Sequence, residues 1–167
     1  MSQITNLFTQ SSGPTQESIS FQAYLPSADA NATGNGTQFE IGSVTPLTIV
    51  WNDGGGMATN GVFTAPSTGK YAFFLSVFTQ GTDPSHTTWQ PVISTSTGTN
   101  YNLAYQSGFS NVAAGGFLQG NGGTMVELSA GDTVTFKIIV SGGAQTVTVY
   151  GSGNTNGLTY MSGYKVY

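Results

Sequence analysis

Apolar and polar residues alternate with a period of two in several short segments of the chain. Residues 18–24 place Ile19, Phe21 and Ala23 on one face, and residues 132–140 place four apolar side chains on one face in the same way. Glycines and Asn-Gly pairs separate these segments with turns. No window has the apolar spacing of a long helix. The pattern predicts an all-β protein, an antiparallel two-sheet jelly-roll sandwich in one domain.

The alternation and the turn signals together place the predicted strands along the chain. Residues 29–37 hold the glycosylation-type triplets at Asn31 and Asn35 and are predicted to form an exposed loop. Residues 151–157, GSGNTNG, are predicted to form another loop. The predicted strands are 18–24, 38–41, 46–51, 60–64, 69–79, 87–94, 100–106, 123–129, 132–141, 145–150 and 158–167.

The start of the chain differs from the remainder. Residues 1–17 are polar, lack strand alternation and contain a Gly-Pro break, so we predict an arm there and a jelly-roll domain over residues 18–167. Ile4, Leu7 and Phe8 would share one face of a single helical turn and are candidate anchors on a neighbouring protein. The segment lacks the basic start and apolar run of a signal peptide, and no later stretch is apolar enough for membrane insertion.

The strand predicted at residues 69–79 is apolar on both faces, whereas a sandwich strand normally buries one face and leaves the other polar. Phe74 and Phe78 lie on the second face. Burying a phenylalanine contributes about 2 kcal/mol, and exposing two invites aggregation. A second subunit related by closed rotational symmetry would cover them. The candidates for the subunit interface or the core are Tyr71, Phe73, Phe74, Phe78, Tyr160, Tyr164 and Tyr167.

Charge is scarce, since 6% of residues are ionisable against roughly 25% in ordinary globular proteins. With three lysines, no arginine and a net charge of -4, the chain cannot neutralise a row of phosphates, so we expect no nucleic-acid partner. The surface must consist of Ser, Thr, Asn, Gln and Gly, which favours a virion or other extracellular setting. Without cysteine, disulfides, thiolate zinc sites and cysteine nucleophiles are excluded.

Candidate chemistry is sparse. The single histidine, His86, follows Asp83 and Ser85 in the segment TDPSH, and sequence neighbours in a turn rarely form a catalytic triad. We therefore expect a solvent-exposed turn. The segment NDGGG with Asp53 is the one hint of a calcium ligand, and a turn is the more common role of such a segment. We predict no enzyme activity, no catalytic residue, no metal site and no cofactor.

Four aromatic residues could stack on sugar rings if they are exposed, although core or interface packing is the more common use of such side chains. They are Trp51, Trp89, Tyr101 and Tyr105.

Several segments, in order, resemble the complement component 1q globular head, within the wider tumour necrosis factor-like superfamily. They are SISFQAYLP, NGVFTAPSTGKYAFFLSVF, VELSAGDTVTFKI and YMSGYKVY. Similar segments, with ANATGNGTQFEIG leading into a FTAP stretch, are found in tail fibres and other virion proteins of bacterial viruses. The matching positions are Phe21, Phe63, Pro66, Gly69, Tyr71, Phe73, Gly131, Asp132, Gly163 and Tyr164.

The resemblance implies a jelly roll of about ten strands that assembles as a homotrimer and acts in binding or structure. Our hypothesis is a bacteriophage virion surface protein, either a capsid decoration or head-fibre protein or a tail-fibre component, attached to other virion proteins through residues 1–17. The alternative is an extracellular trimeric module that binds a host receptor or a cell-surface glycan.

Overall fold

The computed structural model describes residues 17–153 and 158–167, which form twelve β-strands and one short 3-10 helix, Phe109–Asn111. The candidate anchors Ile4, Leu7 and Phe8 lie outside the described residues, as does part of the predicted 151–157 loop. The strands are β1 Ser20–Tyr24, β2 Asp29–Thr33, β3 Gln38–Glu40, β4 Thr48–Asp53, β5 Val62–Thr64, β6 Gly69–Thr82, β7 Thr88–Thr95, β8 Asn100–Asn102, β9 Gly116–Leu128, β10 Thr133–Ser141, β11 Val147–Val149 and β12 Tyr160–Lys165.

The strands form two antiparallel sheets packed face to face. The first sheet has the order β2-β11-β6-β12-β1-β4, and β9 pairs along the other side of β6. The second has the order β3-β10-β7-β8, and β5 also pairs with β10. Since β6 runs for 14 residues, it pairs with β12 and β11 on one side and with β9 along most of its length on the other. The predicted all-β two-sheet jelly roll is confirmed.

The core lies between the two sheets and is aromatic at its centre. The ring of Phe21 on β1 lies 5.3 Å from that of Phe63 and 6.2 Å from that of Phe136, which comes from the opposite sheet. Phe73 on β6 packs 5.2 Å from Phe63 and 6.1 Å from Phe136. All four side chains are buried. The two sheets are therefore joined by stacked and edge-to-face rings, arrangements that add to the energy of burial alone.

The prediction of an exposed loop at residues 29–37 is wrong for its first half, because Asp29–Thr33 forms β2 and pairs with β11. The segment DANAT has no large apolar side chain and no alternation, so its sequence gives no strand signal. Asp29–Thr33 forms a strand because of hydrogen bonds to distant parts of the chain. The buried hydroxyl of Thr33 accepts from the Val140 amide at 3.1 Å and donates to the Thr37 carbonyl at 2.6 Å.

The strand predicted at 123–129 begins earlier, at Gly116, because β9 continues through the glycine-rich segment GNGG. Glycine normally weakens a strand. Here Gly120 and Gly122 face the interior, where a Cβ atom would lie 2.6 Å from the Trp89 ring and 2.7 Å from Leu103. The two glycines thus make room for large side chains that come from the opposite side of the sandwich.

Other strands are found near their predicted places with shifted ends. The strand predicted at 69–79 extends to Thr82, and that predicted at 100–106 ends at Asn102. Beyond Asn102 the chain continues beside β7, where the Leu103 amide donates to the Pro91 carbonyl and Gln106 exchanges backbone hydrogen bonds with Trp89. None of the described residues belongs to a helix long and apolar enough to cross a membrane.

Candidate subunit contact surface

The outer side of the first sheet carries an unusual number of apolar side chains over β12, β6 and β9. We call this surface the aromatic face. Within it Phe74 is 44% exposed, Phe117 is 57% exposed and Met125 is 67% exposed in the single chain. From the register of the three strands, its members are Tyr160, Ser162 and Tyr164 on β12, Ala72, Phe74, Ser76 and Phe78 on β6, and Phe117, Gln119, Asn121, Gly123 and Met125 on β9.

The rings of the aromatic face form two groups. Phe74 stacks on Tyr164, with ring centroids 6.3 Å apart and planes inclined by 21°. Further along β6, the centroid of Phe78 lies 5.5 Å from that of Phe117 and 6.0 Å from that of Tyr150, which follows β11. Both groups leave ring surface in contact with water, which costs free energy unless another surface covers it.

Two shallow hollows flank Phe74. One, of about 410 Å³, is lined by Ala72, Gly123, Thr124, Met125 and Tyr164. The other, of about 460 Å³, is lined by Leu75, Asn121, Gly122, Gly123 and Tyr160. Phe74 and Gly123 line both hollows, and a Cβ atom at Gly123 would lie 2.6 Å from the Phe74 ring. The absence of a side chain at position 123 thus lets the Phe74 ring lie close against β9.

The outer side of the second sheet is polar by contrast. Lys137 on β10 makes an ion pair of 3.2 Å with Glu40 on β3. Val92 and Ile139 are apolar residues on this side, but the other residues around the pair that alternate outward are polar, namely Gln38, Gln90, Ser94, Asn100, Asn102, Thr133 and Thr135. This is the arrangement expected of a sheet that faces water. The two outer faces of the sandwich therefore differ in chemistry.

Beside the aromatic face, Glu17 is held at the point where residues 1–17 join the domain. Its Oε2 atom accepts hydrogen bonds from Ser67 Oγ at 2.6 Å and from Lys165 Nζ at 3.1 Å. Lys165 Nζ also donates to Ser67 Oγ at 2.8 Å. These hydrogen bonds, from Ser67 first and then Lys165, hold the pKa of Glu17 below its ordinary value. The carboxylate therefore stays charged throughout the neutral range.

The histidine segment does not form a catalytic triad. Asp83 Oδ1 bonds to Ser85 Oγ and lies 3.1 Å from His86 Nδ1, so the serine and the histidine contact the carboxylate and not each other. The Ser85 hydrogen bonds, followed by His86, lower the pKa of Asp83. The expectation of a solvent-exposed turn is wrong for His86, which is buried against Gly34 and Gly143.

Within the described residues, no three acidic or histidine side chains converge where they could hold a metal ion. Asp53, the one calcium hint in the sequence, is exposed at the end of β4, where its Oδ2 atom accepts from Ser20 Oγ at 3.3 Å. The glycines after it, Gly54, Gly55 and Gly56, all have positive φ. This is turn geometry.

The structure divides the residues predicted for the interface or the core. Tyr71 and Phe73 are fully buried in the core. Phe74, Tyr160 and Tyr164 are exposed on the aromatic face, where Phe78 is half-buried. Tyr167 is exposed at the chain end, beneath the ammonium of Lys70 at 5.0 Å from the ring centroid, and bonding to Tyr167 raises the pKa of Lys70.

Sequence reasoning missed three members or neighbours of the aromatic face. Phe117 stands on the part of β9 that its glycines hid, Met125 stands within the predicted strand at 123–129, and Tyr150 lies beyond the end of β11. Recognising that β9 extends to Gly116 would have placed Phe117 on the same face as Met125. Of the proposed sugar-stacking residues, Trp51 and Tyr105 are exposed and Tyr101 packs against the core. Trp89 is completely buried, which is the core packing expected as the more common use of such side chains.

The fold is the jelly roll of the tumour necrosis factor and complement 1q globular domains. Murine APRIL superposes with a TM-score of 0.58 at 17% identity, covering 89% of this chain and 99% of that one. The globular domain of zebrafish complement 1qA gives 0.58 at 12% identity, covering 90% and 98%. Eiger TNF from S. frugiperda gives 0.58 at 10% identity, covering 91% and 94%. Neither a protein-family model nor a curated protein matches the sequence.

Proposed function

We propose that the protein is a non-enzymatic homotrimer that serves as a structural component of a bacteriophage virion surface. The observation that carries the trimer is the aromatic face, because it gathers four exposed rings and Met125 on one side of the sandwich, while the other side is mainly polar. A cyclic assembly would cover this face in every subunit and would leave the polar sheet in water. The structural neighbours, a complement 1q globular domain and tumour necrosis factor relatives, fit such an assembly.

The virion part of the proposal rests on sequence. The segments ANATGNGTQFEIG and FTAP are similar to those of phage tail fibres and other virion proteins, and the scarcity of charge suits a particle exposed to varying solvents. In this role the protein is a capsid decoration, a head fibre or a part of a tail fibre, and residues 1–17 attach it to other virion proteins.

A trimeric host receptor- or glycan-binding module is the second candidate. Tyr105 favours it, because this aromatic ring is 62% exposed outside the aromatic face, on the segment between β8 and the 3-10 helix. Saturable binding of the isolated protein to a glycan array, abolished by Tyr105→Ala, would support this role. Unchanged binding in that variant would show that Tyr105 does not take part in glycan binding.

The trimer is tested by Phe74→Ser combined with Phe78→Ser. We expect the double variant to keep its β-sheet circular dichroism and to become a monomer at micromolar concentration by native mass spectrometry, because the changes remove apolar surface from the aromatic face and leave the core intact. Tyr105→Ser is the control, since it removes an exposed ring elsewhere, and it should leave the oligomer unchanged. An unfolded double variant would assign both faces of β6 to a single core, and a monomeric wild-type protein would refute the trimer.

A further inference from the structure

Three separate parts of the chain meet at Glu17. Ser67 comes from the turn between β5 and β6, Lys165 is the last residue of β12, and Glu17 is the last residue of the predicted arm. Each of the three side chains is within hydrogen-bond distance of the other two. Tyr71, whose side chain is buried, fixes the turn by donating its hydroxyl to the Ser67 carbonyl at 2.6 Å. The partners of Glu17 are therefore held by the body of the sandwich.

Lys165 is well placed for this contact. Its side chain is only 14% exposed and passes over Gly69, where a Cβ atom would lie 2.5 Å from Lys165 Cε. Its backbone amide donates to the Ile19 carbonyl at 2.9 Å, so β12 also holds the residues that follow Glu17. Lys165 is thus held by contacts with the body of the sandwich in addition to its contact with the carboxylate.

The contact lies at the rim of the aromatic face. A hollow of about 290 Å³ is lined by Glu17, Ser18, Ile19, Ser20, Tyr164 and Lys165. Tyr164 also lines the hollow beside Phe74. The point where residues 1–17 join the domain is therefore continuous with the surface proposed to contact another subunit.

We propose that Glu17, Ser67 and Lys165 form a latch that fixes the root of the N-terminal arm to the rim of the aromatic face. The latch is a positioning device, because exposed ion pairs contribute little to folding stability. The latch acts on the direction in which the arm leaves the domain. It restricts rotation of the backbone at Glu17, so that each subunit presents its arm from the same place. This aiming of the anchors rests on the proposed function, whereas the latch itself does not.

Protonation affects the latch in a definite direction. The pKa of Glu17 is lowered in the folded protein. The contact therefore gives its full stabilisation at a pH above the ordinary pKa of a glutamate, and this stabilisation is lost as the pH falls through the lowered pKa. The groups that face Glu17 are Ser67 and the ammonium of Lys165. The latch is therefore closed at neutral pH.

The test uses a nitroxide label on Gln16→Cys, one residue before the latch, in a chain that has no other cysteine. We expect an immobilised label in the otherwise unchanged full chain. Lys165→Met should shorten the rotational correlation time of the label by roughly twofold or more, because the root then moves on the nanosecond scale of a free terminus. Glu17→Gln should act in the same direction and provides a second variant. The swap Glu17→Lys with Lys165→Glu should restore the immobilised spectrum.

The chain offers a matched control in the other ion pair. Lys137 and Glu40 lie 3.2 Å apart with side chains 16% and 47% exposed, close to the 14% and 58% of Lys165 and Glu17. Lys137→Met should leave the label immobilised and should change the melting temperature about as little as Lys165→Met does. A label that is already mobile in the unchanged chain, or that responds equally to both lysine variants, would overturn the latch.

Failure of the latch and failure of the proposed function give different results. A monomer by native mass spectrometry with an immobilised label refutes the trimer and leaves the latch standing. A trimer whose label ignores Lys165→Met refutes the latch and leaves the trimer standing.

Discussion

The indole of Trp89 depends on a glycine in the opposite sheet. It is completely buried on β7, and its Nε1 atom donates to Thr79 Oγ1 on β6 at 2.9 Å. Gly120 on β9 provides the space, because any side chain there would begin 2.6 Å from the ring. A large rigid side chain fixed at both ends cannot move aside cheaply.

Gly120→Ala should therefore destabilise the protein by about 1–3 kcal/mol through overpacking. Urea unfolding followed by tryptophan fluorescence measures the change. Gly153→Ala is the control, because the nearest atom to its added Cβ lies 3.9 Å away. Equal stability of the two variants would mean that Trp89 has room to shift.

At the residue scale, the sequence predicts well the burial of side chains that follow a regular alternation. It predicts poorly which residues pack against each other across the sandwich. Tyr71 and Phe73 follow the period of two on one strand, and both are in the core. Trp89 could not be placed, because its burial depends on Gly120, which is distant in sequence and carries no hydrophobic signal. For the same reason His86, enclosed by Gly34 and Gly143, was expected in solvent.

At the scale of elements, β2 is a strand without a strand sequence. Its partner β11 is short, with three residues, and the Thr33 hydroxyl joins β2 to β10 in the second sheet. A buried hydroxyl that satisfies a donor and an acceptor leaves both unpaired when it is removed. The Thr33 side chain therefore adds to the backbone hydrogen bonds that hold the edge of the first sheet.

Thr33→Val keeps the shape of the side chain and removes the hydroxyl, so we expect a loss of about 1–3 kcal/mol from the unsatisfied Val140 amide and Thr37 carbonyl. Thermal or urea unfolding checks the value. Thr64→Val, at an exposed position of β5, should change stability by about 0.5 kcal/mol or less. A Thr33 variant as stable as the wild type would show that the hydroxyl does not hold β2.

Elements with repeated alternation, such as β10 and β6, were predicted with nearly correct ends, whereas β2 and the first half of β9 were not. The difference has a physical cause. β10 is defined by its own apolar side chains, while β2 is defined by Thr33 and β9 by what packs onto Gly120 and Gly122. A local sequence pattern does not reveal tertiary contacts of this kind.

At the scale of the whole molecule, the sandwich has one side suited to water and one suited to another protein. Sequence indicated this asymmetry through Phe74 and Phe78, since both stand opposite the core face of β6. It could not give the extent of the aromatic face, because Phe117, Met125 and Tyr150 join it only through the pairing of β9 and β11 with β6.

The proposed division between arm and body predicts the result of deleting residues 1–16. The shortened protein should remain trimeric by native mass spectrometry, since the aromatic face is intact, and should no longer co-purify with virions. Deletion leaves Glu17 and its contacts in place, so the control for folding is an unchanged melting temperature. Normal incorporation of the shortened protein would refute the arm as an anchor.

The turns at Asn35-Gly36 and Asn60-Gly61 also bear on chemical ageing. Deamidation begins when the glycine amide nitrogen attacks the asparagine side-chain carbonyl, closing a succinimide and releasing ammonia. Here the Gly36 and Gly61 amides donate to Val140 and Ala58 at 2.8 and 3.1 Å. The two asparagine carbonyls in turn accept from the amides of Thr37 and Val62. Both reacting groups are thus engaged in hydrogen bonds that hold them apart, and this arrangement disfavours succinimide formation at Asn35 and Asn60.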